Sequence, residues 1–287
     1  MAHLPNHLRE QIEQHLGTAI TRITPVGGGD INQAARLETG GDVFFLKWHA
    51  APPRGMFAAE ADGLRRIAAT QTVRVPHVIA QGDTWLLLEW LPIGRRTAAA
   101  AKRLGEALAA LHRHTAAHYG LEHDNYIGLT PQINHPETDW VRFWREHRLR
   151  PQMRLAAERG RMPAHRRRAL ERLIARLDEW LPRTPPASLL HGDLWGGNWV
   201  ALEDGTPALI DPAVYHGDRE TDIAFTHLFG GFPAAFYDAY TAAWPLPPDA
   251  DARRDLYNLY HLLNHLNLFG EAYGASVDHI LARYVGG

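Results

Sequence analysis

The sequence predicts an α+β fold in two lobes: an N-terminal antiparallel sheet with one helix over residues 1–91, and a larger, mainly helical lobe over residues 92–287. Three observations predict it. Short apolar runs punctuated by glycine turns fill the first third of the chain, whereas from Thr97 onward apolar residues recur three and four apart. One stretch then breaks the helical pattern. It is Leu189-Leu190-His191-Gly192-Asp193-Leu194-Trp195-Gly196-Gly197-Asn198-Trp199-Val200, followed by Ala208-Leu209-Ile210-Asp211-Pro212, and it sets oxygen-bearing side chains between runs that read as buried strands.

Bulk properties exclude several classes. With 287 residues, 45% of them hydrophobic, the chain can bury a substantial core. Its formal net charge is −2, from 30 basic and 32 acidic residues, so no global field draws in nucleic acid or an anionic membrane, and neither is expected as a partner. The absence of cysteine excludes disulfides, thiolate metal sites and a thiol nucleophile, and fits a cytoplasmic protein. Arg9, Glu10 and Glu13 interrupt any signal-peptide core, and the longest apolar runs, such as Trp85-Leu86-Leu87-Leu88, are far too short for a membrane span. Most of the 18 histidines, His3, His7, His15 and His118 among them, stand singly and read as surface or packing groups rather than metal ligands.

In order, Leu8, Ile12 and Leu16 predict a helix over residues 4–16, started near Pro5 and Asn6 and ended by Gly17. Ile20 to Val26 lead into Gly27-Gly28-Gly29-Asp30, and Ile31 to Leu37 lead through Thr39-Gly40-Gly41-Asp42 into Val43-Phe44-Phe45-Leu46-Lys47-Trp48, which predicts two hairpins. A triple glycine at such a turn is either a flexible tip or a loop whose backbone can lie against phosphates. Lys47 favours the second reading, because a lysine in an apolar strand is costly unless paired. Its nearest partner is Glu60, in the helical stretch Met56 to Ala69, with Asp62 the alternative if the register differs. Gly27, Gly28, Gly29, Lys47 and Glu60 then follow the order of the ATP-positioning parts of the protein-kinase architecture.

Val73 to Ala80 reads as a loop and short strand, and Thr84 to Glu89 as a strand entering Trp90-Leu91-Pro92-Ile93-Gly94. In a two-lobed kinase the chain crosses lobes here and adenine bonds the crossing backbone, a place that Glu89, Trp90 and Leu91 take by order alone. The break near residues 92–96 marks the lobe boundary. Helices are predicted through Arg103 to Arg113 and over Asp139 to Ala157, His165 to Leu181, Thr221 to Leu228, Ala234 to Ala243, Ala250 to Leu268 and Ser276 to Tyr284.

The stretch between these helices carries the chemistry. Asp193 and Asn198 are five residues apart, the separation in the kinase catalytic loop, where the Asp accepts the substrate hydroxyl proton and the Asn holds magnesium. Asp211 ends an apolar strand, where a rigid second metal ligand belongs. Asn198 and Asp211, with the phosphates of ATP, would satisfy Mg2+. Singly, each of these residues could belong to a turn. Three in this order, with a glycine loop and a buried lysine upstream, favour phosphoryl transfer.

His191-Gly192-Asp193-Leu194-Trp195-Gly196-Gly197-Asn198 resembles the signature of the fructosamine 3-kinase family, HGDLWSGN, within the wider aminoglycoside-phosphotransferase and choline-kinase-like group. The tryptophan after HGDL narrows the resemblance. Gly27 to Ile31, Phe45-Leu46-Lys47, Val75-Pro76, Gly120 with Asp124-Asn125-Tyr126-Ile127-Gly128, Asp211-Pro212-Ala213 and Tyr215 to Glu220 agree with it, so the similarity covers nearly the whole chain. It implies a protein-kinase-like fold, ATP and Mg2+, and phosphorylation of the 3-hydroxyl of a ketoamine, a ribulosamine, erythrulosamine or fructosamine on a small amine or a protein. The phosphorylated adduct becomes unstable and the amine is released.

Two departures stand out. Asp30 replaces a cysteine that many members carry and that is linked with redox-regulated dimers, so a monomer or weak homodimer is expected here. Gly196 replaces the usual Ser and is expected to loosen the loop. On the acceptor side, Trp195 and the helix holding Trp140 and Trp144 are candidates for lining the pocket, with core packing the alternative. Asp218 and Asp222 are candidates for the acceptor's cationic amine or for anchoring the loop, with anchoring favoured for Asp222, and His191 is a candidate for orienting the loop beside the acceptor rather than acting as a general base. Competing readings are a kinase of another amino-alcohol, a nucleotide-binding protein without transfer activity, and a metal-dependent hydrolase built on His191, Asp193 and Asp211.

Overall fold

Residues 4–27 and 31–285 are described by the structure, a computed structural model. Helix α1 (Asn6–Leu16) precedes strands β1 (Arg22–Pro25), β2 (Gln33–Glu38) and β3 (Val43–Trp48). Then come α2 (Met56–Ala69), β4 (Val78–Gln81) and β5 (Trp85–Glu89). The strands form one antiparallel sheet in the order β1-β2-β3-β5-β4. Both expected hairpins are present: β1 pairs with β2, and β2 turns into β3 where Thr39 N–H donates to Asp42 O at 2.9 Å. Gly27 follows β1; Gly28, Gly29 and Asp30 lie outside the described residues.

Alternation along the strands covers the sheet on both faces. Leu46, Trp48, Trp85 and Leu87 pack with Leu8 and Ile12 of α1, while Leu86 and Leu88 pack with Phe57, Leu64 and Ile67 of α2. Lys47, between Leu46 and Trp48, is thereby turned to the α2 side. Each Leu buried this fully contributes about 1.5–3 kcal/mol.

The rest of the chain is mainly helical. Helix α3 (Ala98–His112) is capped by Thr97, whose side chain accepts from Ala100 N–H at 3.1 Å. There follow β6 (Thr115–Ala116), β7 (Asn125–Ile127), β8 (Thr130–Gln132), α4 (Trp140–Phe143), α5 (Arg150–Glu158) and α6 (Ala164–Ala175). Next are β9 (Ala187–Leu190), β10 (Trp199–Ala201), β11 (Pro207–Leu209) and β12 (Tyr215–Gly217). The chain ends in α7 (Glu220–Leu228), α8 (Ala234–Ala243), α9 (Ala250–Phe269) and α10 (Gly274–Val285). β12, β9 and β6 make a three-stranded sheet, and β7–β8 and β10–β11 are hairpins. α9 is central, burying Leu256, Tyr257, Tyr260 and Leu263 against Trp140, Trp144 and Leu170.

Two features depart from expectation. The helix expected over Asp139 to Ala157 is split by a π-helical turn, Trp144–Leu149. Pro151 has no N–H for the His147 carbonyl, which instead accepts from Arg148 Nη1 at 2.9 Å, so the widened turn sends Arg148 inward. The β7–β8 hairpin was not expected. It ties to the sheet side through Tyr126, whose hydroxyl donates to Arg54 O at 2.8 Å, and its turn packs beside Ile31 and Leu268.

Candidate active site

Lys47 is 6% exposed, and its Nζ donates to both Glu60 oxygens at 2.8 and 3.0 Å and to Asp211 Oδ1 at 2.9 Å. Asp62, the alternative partner, pairs with Arg66 and His123 instead. Burial works against the Lys47 ammonium, but the charges of Asp211 and Glu60 outweigh it and push its pKa up. Burial pushes the Glu60 carboxyl up, against the pull of Lys47 and helped by Asp211. Two carboxylates thus share one ammonium, leaving surplus negative charge on the cleft floor.

Asp211 follows β11 in a left-handed conformation, φ 56°, which costs a non-glycine residue about 1–2 kcal/mol. The residues around it hold it there. Ile210 N–H donates to Asn198 O at 3.0 Å, Ala213 N–H to His191 O at 2.9 Å, and the Asn125 and Gln132 amides donate to Val214 O and Ala213 O at 2.7 and 3.0 Å.

The catalytic loop hangs from Asp222 in α7, whose two carboxylate oxygens accept from His191 N–H at 2.7 Å and Gly192 N–H at 2.9 Å. His112 Nε2 lies 3.1 Å from the same carboxylate. Burial opposes the charge on Asp222, but His112, His191 and the Gly192 amide hold its carboxyl below the usual range. Gly192 has φ 82°, and a Cβ there would stand 2.0 Å from Ala213 O, so the close approach of the two segments requires glycine. His191 is fully buried, with Nε2 against Ile210 O at 2.9 Å and Nδ1 accepting from Asp193 N–H at 3.3 Å. Those bonds fix one neutral tautomer, and burial pushes its pKa down.

Asn198 Nδ2 donates to Asp193 O at 2.8 Å and to Asp193 Oδ2 at 3.0 Å, which leaves Asn198 Oδ1 as the end available to a cation. Burial, then the charge of Asp211, push the Asp193 carboxyl up to about 7, while Asn198 pulls the other way. Among the described residues no group of three or more His, Cys, Asp or Glu side chains forms a metal cage. Asn198 and Asp211 offer hard oxygens only, a set that fits a cation completing its shell with phosphate and water. A hydrolase built on His191 lacks support, since both ring nitrogens are committed to the backbone.

On the acceptor side, Trp195 is 39% exposed and its ring covers Gly197. Gly196 does not loosen the loop. A Cβ on it would meet Gly230 O at 2.5 Å, so the glycine lets the Gly230–Gly231 backbone close onto the catalytic loop. That contact brings in Phe229, exposed with its ring 5.0 Å from that of His265, which in turn lies 5.5 Å from the Phe269 ring. The scattered positions of these three gave no sequence signal.

Several expectations are corrected. Trp140 and Trp144 are fully buried, Trp140 Nε1 donating to Tyr257 OH at 3.0 Å, because their helix face meets α9 rather than the cleft. Asp218 is 3% exposed and accepts from Tyr257 OH at 2.7 Å and Glu220 N–H at 3.1 Å; it anchors the start of α7 and does not face an acceptor. Burial pushes its carboxyl up to about 6. His191, fully enclosed, orients the loop without reaching an acceptor surface. Glu89 N–H donates to His77 O at 2.9 Å and its carboxylate is held by Arg74 and His77 N–H, so neither its N–H nor its side chain takes part in the expected backbone contact with a base at residues 89–91. Trp90 lies against Phe45 and Arg36, and Leu91 is buried. A separate cavity of about 220 Å3, lined by Ile223, Tyr237, Tyr240 and Arg254, touches none of the loop from His191 to Asn198.

A lysine held by a helix glutamate, facing an Asp and Asn five residues apart and an Asp that ends a strand, defines a two-lobed kinase-like phosphotransferase. A family profile for fructosamine kinases matches residues 4–286. The chain is 44% identical over 286 residues to a probable ketoamine kinase of Synechocystis, covering 96% of this chain and 95% of that one. It is 38% identical over 277 residues to the chloroplastic protein-ribulosamine 3-kinase of Arabidopsis thaliana, covering 93% and 84%. The crystal structure of a candidate fructosamine-3-kinase from Thermobifida fusca superposes with a TM-score of 0.90 at 32% identity, covering 99% of this chain and all of that one. The chain belongs to the fructosamine kinase family. Solved antibiotic phosphotransferases and a choline kinase, 13% to 17% identical, share the fold alone.

Proposed function

We propose that the protein is an ATP-dependent ketoamine 3-kinase, with residues 1–91 as the ATP-binding lobe and residues 92–287 as the catalytic and acceptor-binding lobe. The observation that carries this reading is the pairing of the Lys47–Glu60–Asp211 trio with the Asp193–Asn198 loop across one cleft. Lys47 holds the α- and β-phosphates, and Gly27 with its neighbours Gly28 and Gly29 supplies backbone amides. Asn198 Oδ1 and Asp211 would hold Mg2+, which would neutralise charge on the phosphates. Asp193 aligns the acceptor 3-hydroxyl and takes its proton; a carboxylate whose pKa is near neutral suits that task. Trp195 offers a flat apolar surface to the sugar.

The names of the relatives and the HGDLW sequence support a ketoamine acceptor, a ribulosamine, erythrulosamine or fructosamine. The near-neutral composition without cysteine supports a cytoplasmic monomer or weak homodimer. The test is ADP release with ribulosamine, fructosamine and an aminoglycoside offered separately. Turnover is expected with a ketoamine and is expected to fall about 10²–10⁴-fold in Asp193→Asn. Turnover with the aminoglycoside alone would replace this reading by an amino-alcohol kinase, and full activity in Asp193→Asn would remove the assigned base.

A further inference from the structure

Of the chain's 30 basic residues only two, Lys47 and Lys102, are lysines. The distinction matters for the chemistry that makes ketoamines. A reducing sugar condenses with a free amine, and a guanidinium, with a pKa above about 12, holds almost none in neutral water. The chain therefore meets reducing sugars with two side-chain amines, and they lie in opposite surroundings. Lys47 is 6% exposed, walled in by β3 and α2, with Nζ against Glu60 and Asp211. Lys102 stands on the outer face of α3 with its side chain 66% exposed, and its Nζ lies 3.9 Å from Glu106 Oε1. Its neighbour Arg103 bonds the Gly205 carbonyl in the β10–β11 turn.

We propose that Lys102 is the single side-chain glycation site of the folded protein, and that confining the adduct there keeps the catalytic centre working where reducing sugars are abundant. The chemistry is an addition followed by an isomerisation. The Nζ lone pair adds to the aldose C1 carbonyl, loss of one water gives the imine, and transfer of the C2 proton to C1, with the C2 hydroxyl proton passing to the nitrogen, leaves a ketone at C2 and a secondary amine. No oxidant or reductant is needed. Glu106, within reach of Nζ, is placed to carry the C2 proton. The placement of the adduct stands independently of the activity proposed above.

The test is incubation of the folded protein with ribose, followed by peptide mass mapping and by assay of ATP turnover. Lys102 should carry the pentose adduct, with Lys47 modified at least about tenfold less, because only an opened state exposes it. Incubation in urea should make the two lysines comparable. Lys102→Arg should cut side-chain adducts at least about tenfold, to the level left at Lys47, without changing turnover, and Glu106→Gln should slow adduct formation at Lys102. Equal modification of Lys47 in the folded protein, comparable adducts on arginines in Lys102→Arg, or turnover lost in proportion to Lys102 occupancy would each overturn the proposal. An unchanged rate in Glu106→Gln would remove the carboxylate's part in it.

Discussion

Lys47 and Arg148 are both buried cations, and their surroundings differ in kind. Lys47 has two carboxylates, more negative charge than it needs. Arg148 has no carboxylate partner among the described residues; its guanidinium donates to Ile133 O at 2.6 Å, His147 O at 2.9 Å and Asn134 Oδ1 at 2.9 Å, and lies over Tyr215 and Phe143 at 4.0 and 4.6 Å. The first arrangement has charge to spare for phosphates and a metal. The second offers only neutral acceptors and ring faces, so it has nothing to exchange and serves as a fixed post. From that post a chain of amides runs through Asn134 to Asn125, joined by Gln132, and ends on the carbonyls just past Asp211. In the proposed reaction one cation is placed for the phosphates, and the other holds the turn that carries Asp211.

Replacing each cation should separate these roles. The largest expected effect is on stability: Arg148→Met leaves Ile133 O and Asn134 Oδ1 without donors and should cost about 3 kcal/mol, read as a lower urea midpoint, while the folded fraction keeps its KM for ATP. A normal midpoint with a raised KM would reverse the assignment of the two cations. In the folded fraction, Lys47→Ala should lower kcat/KM for ATP about 10²-fold, since the phosphates lose a positioned donor. Unchanged ATP kinetics would sink the role given to Lys47.

The smallest effect concerns the charge surplus itself. The Asp193 carboxyl titrates near 4 when unfolded and at about 7 when folded, so its contribution to stability is complete below pH 4 and is lost as pH rises toward 7. In the ligand-free protein, Asp193→Asn should therefore raise thermal stability by about 1–2 kcal/mol at pH 8, with the gain shrinking toward pH 5. A gain that does not vary with pH would mean that the carboxylate is not under electrostatic pressure.

Much of this was legible in the residues, for identifiable reasons. β3 and α2 begin and end where the apolar pattern places them, and the alternation within β3 forces Lys47 toward Glu60. Anchoring was the favoured reading of Asp222, and its bonds to the His191 and Gly192 amides agree. Asp218, four residues earlier, was read toward the acceptor, and it is Tyr257, far along the chain in α9, that turns it inward. The three-residue strands β7 and β8 are too short to show a period of two. The π turn was hidden because a helical pattern does not say that Arg148 will leave its surface position once Pro151 withholds a donor. Trp140 and Trp144 misled for a related reason: an aromatic face suits a sugar and a core equally, and α9 decides between them.

The β7–β8 hairpin is fastened to Arg54 through Tyr126 and to Val214 through Asn125, and it is one of several ties between the two halves of the molecule besides the crossing at Leu91: Leu209 N–H donates to Arg74 O at 2.9 Å, and Arg66 of α2 pairs with Glu122. Ties spread along the boundary share the load, so the seat of Lys47 opposite Asp211 does not hang on any one of them.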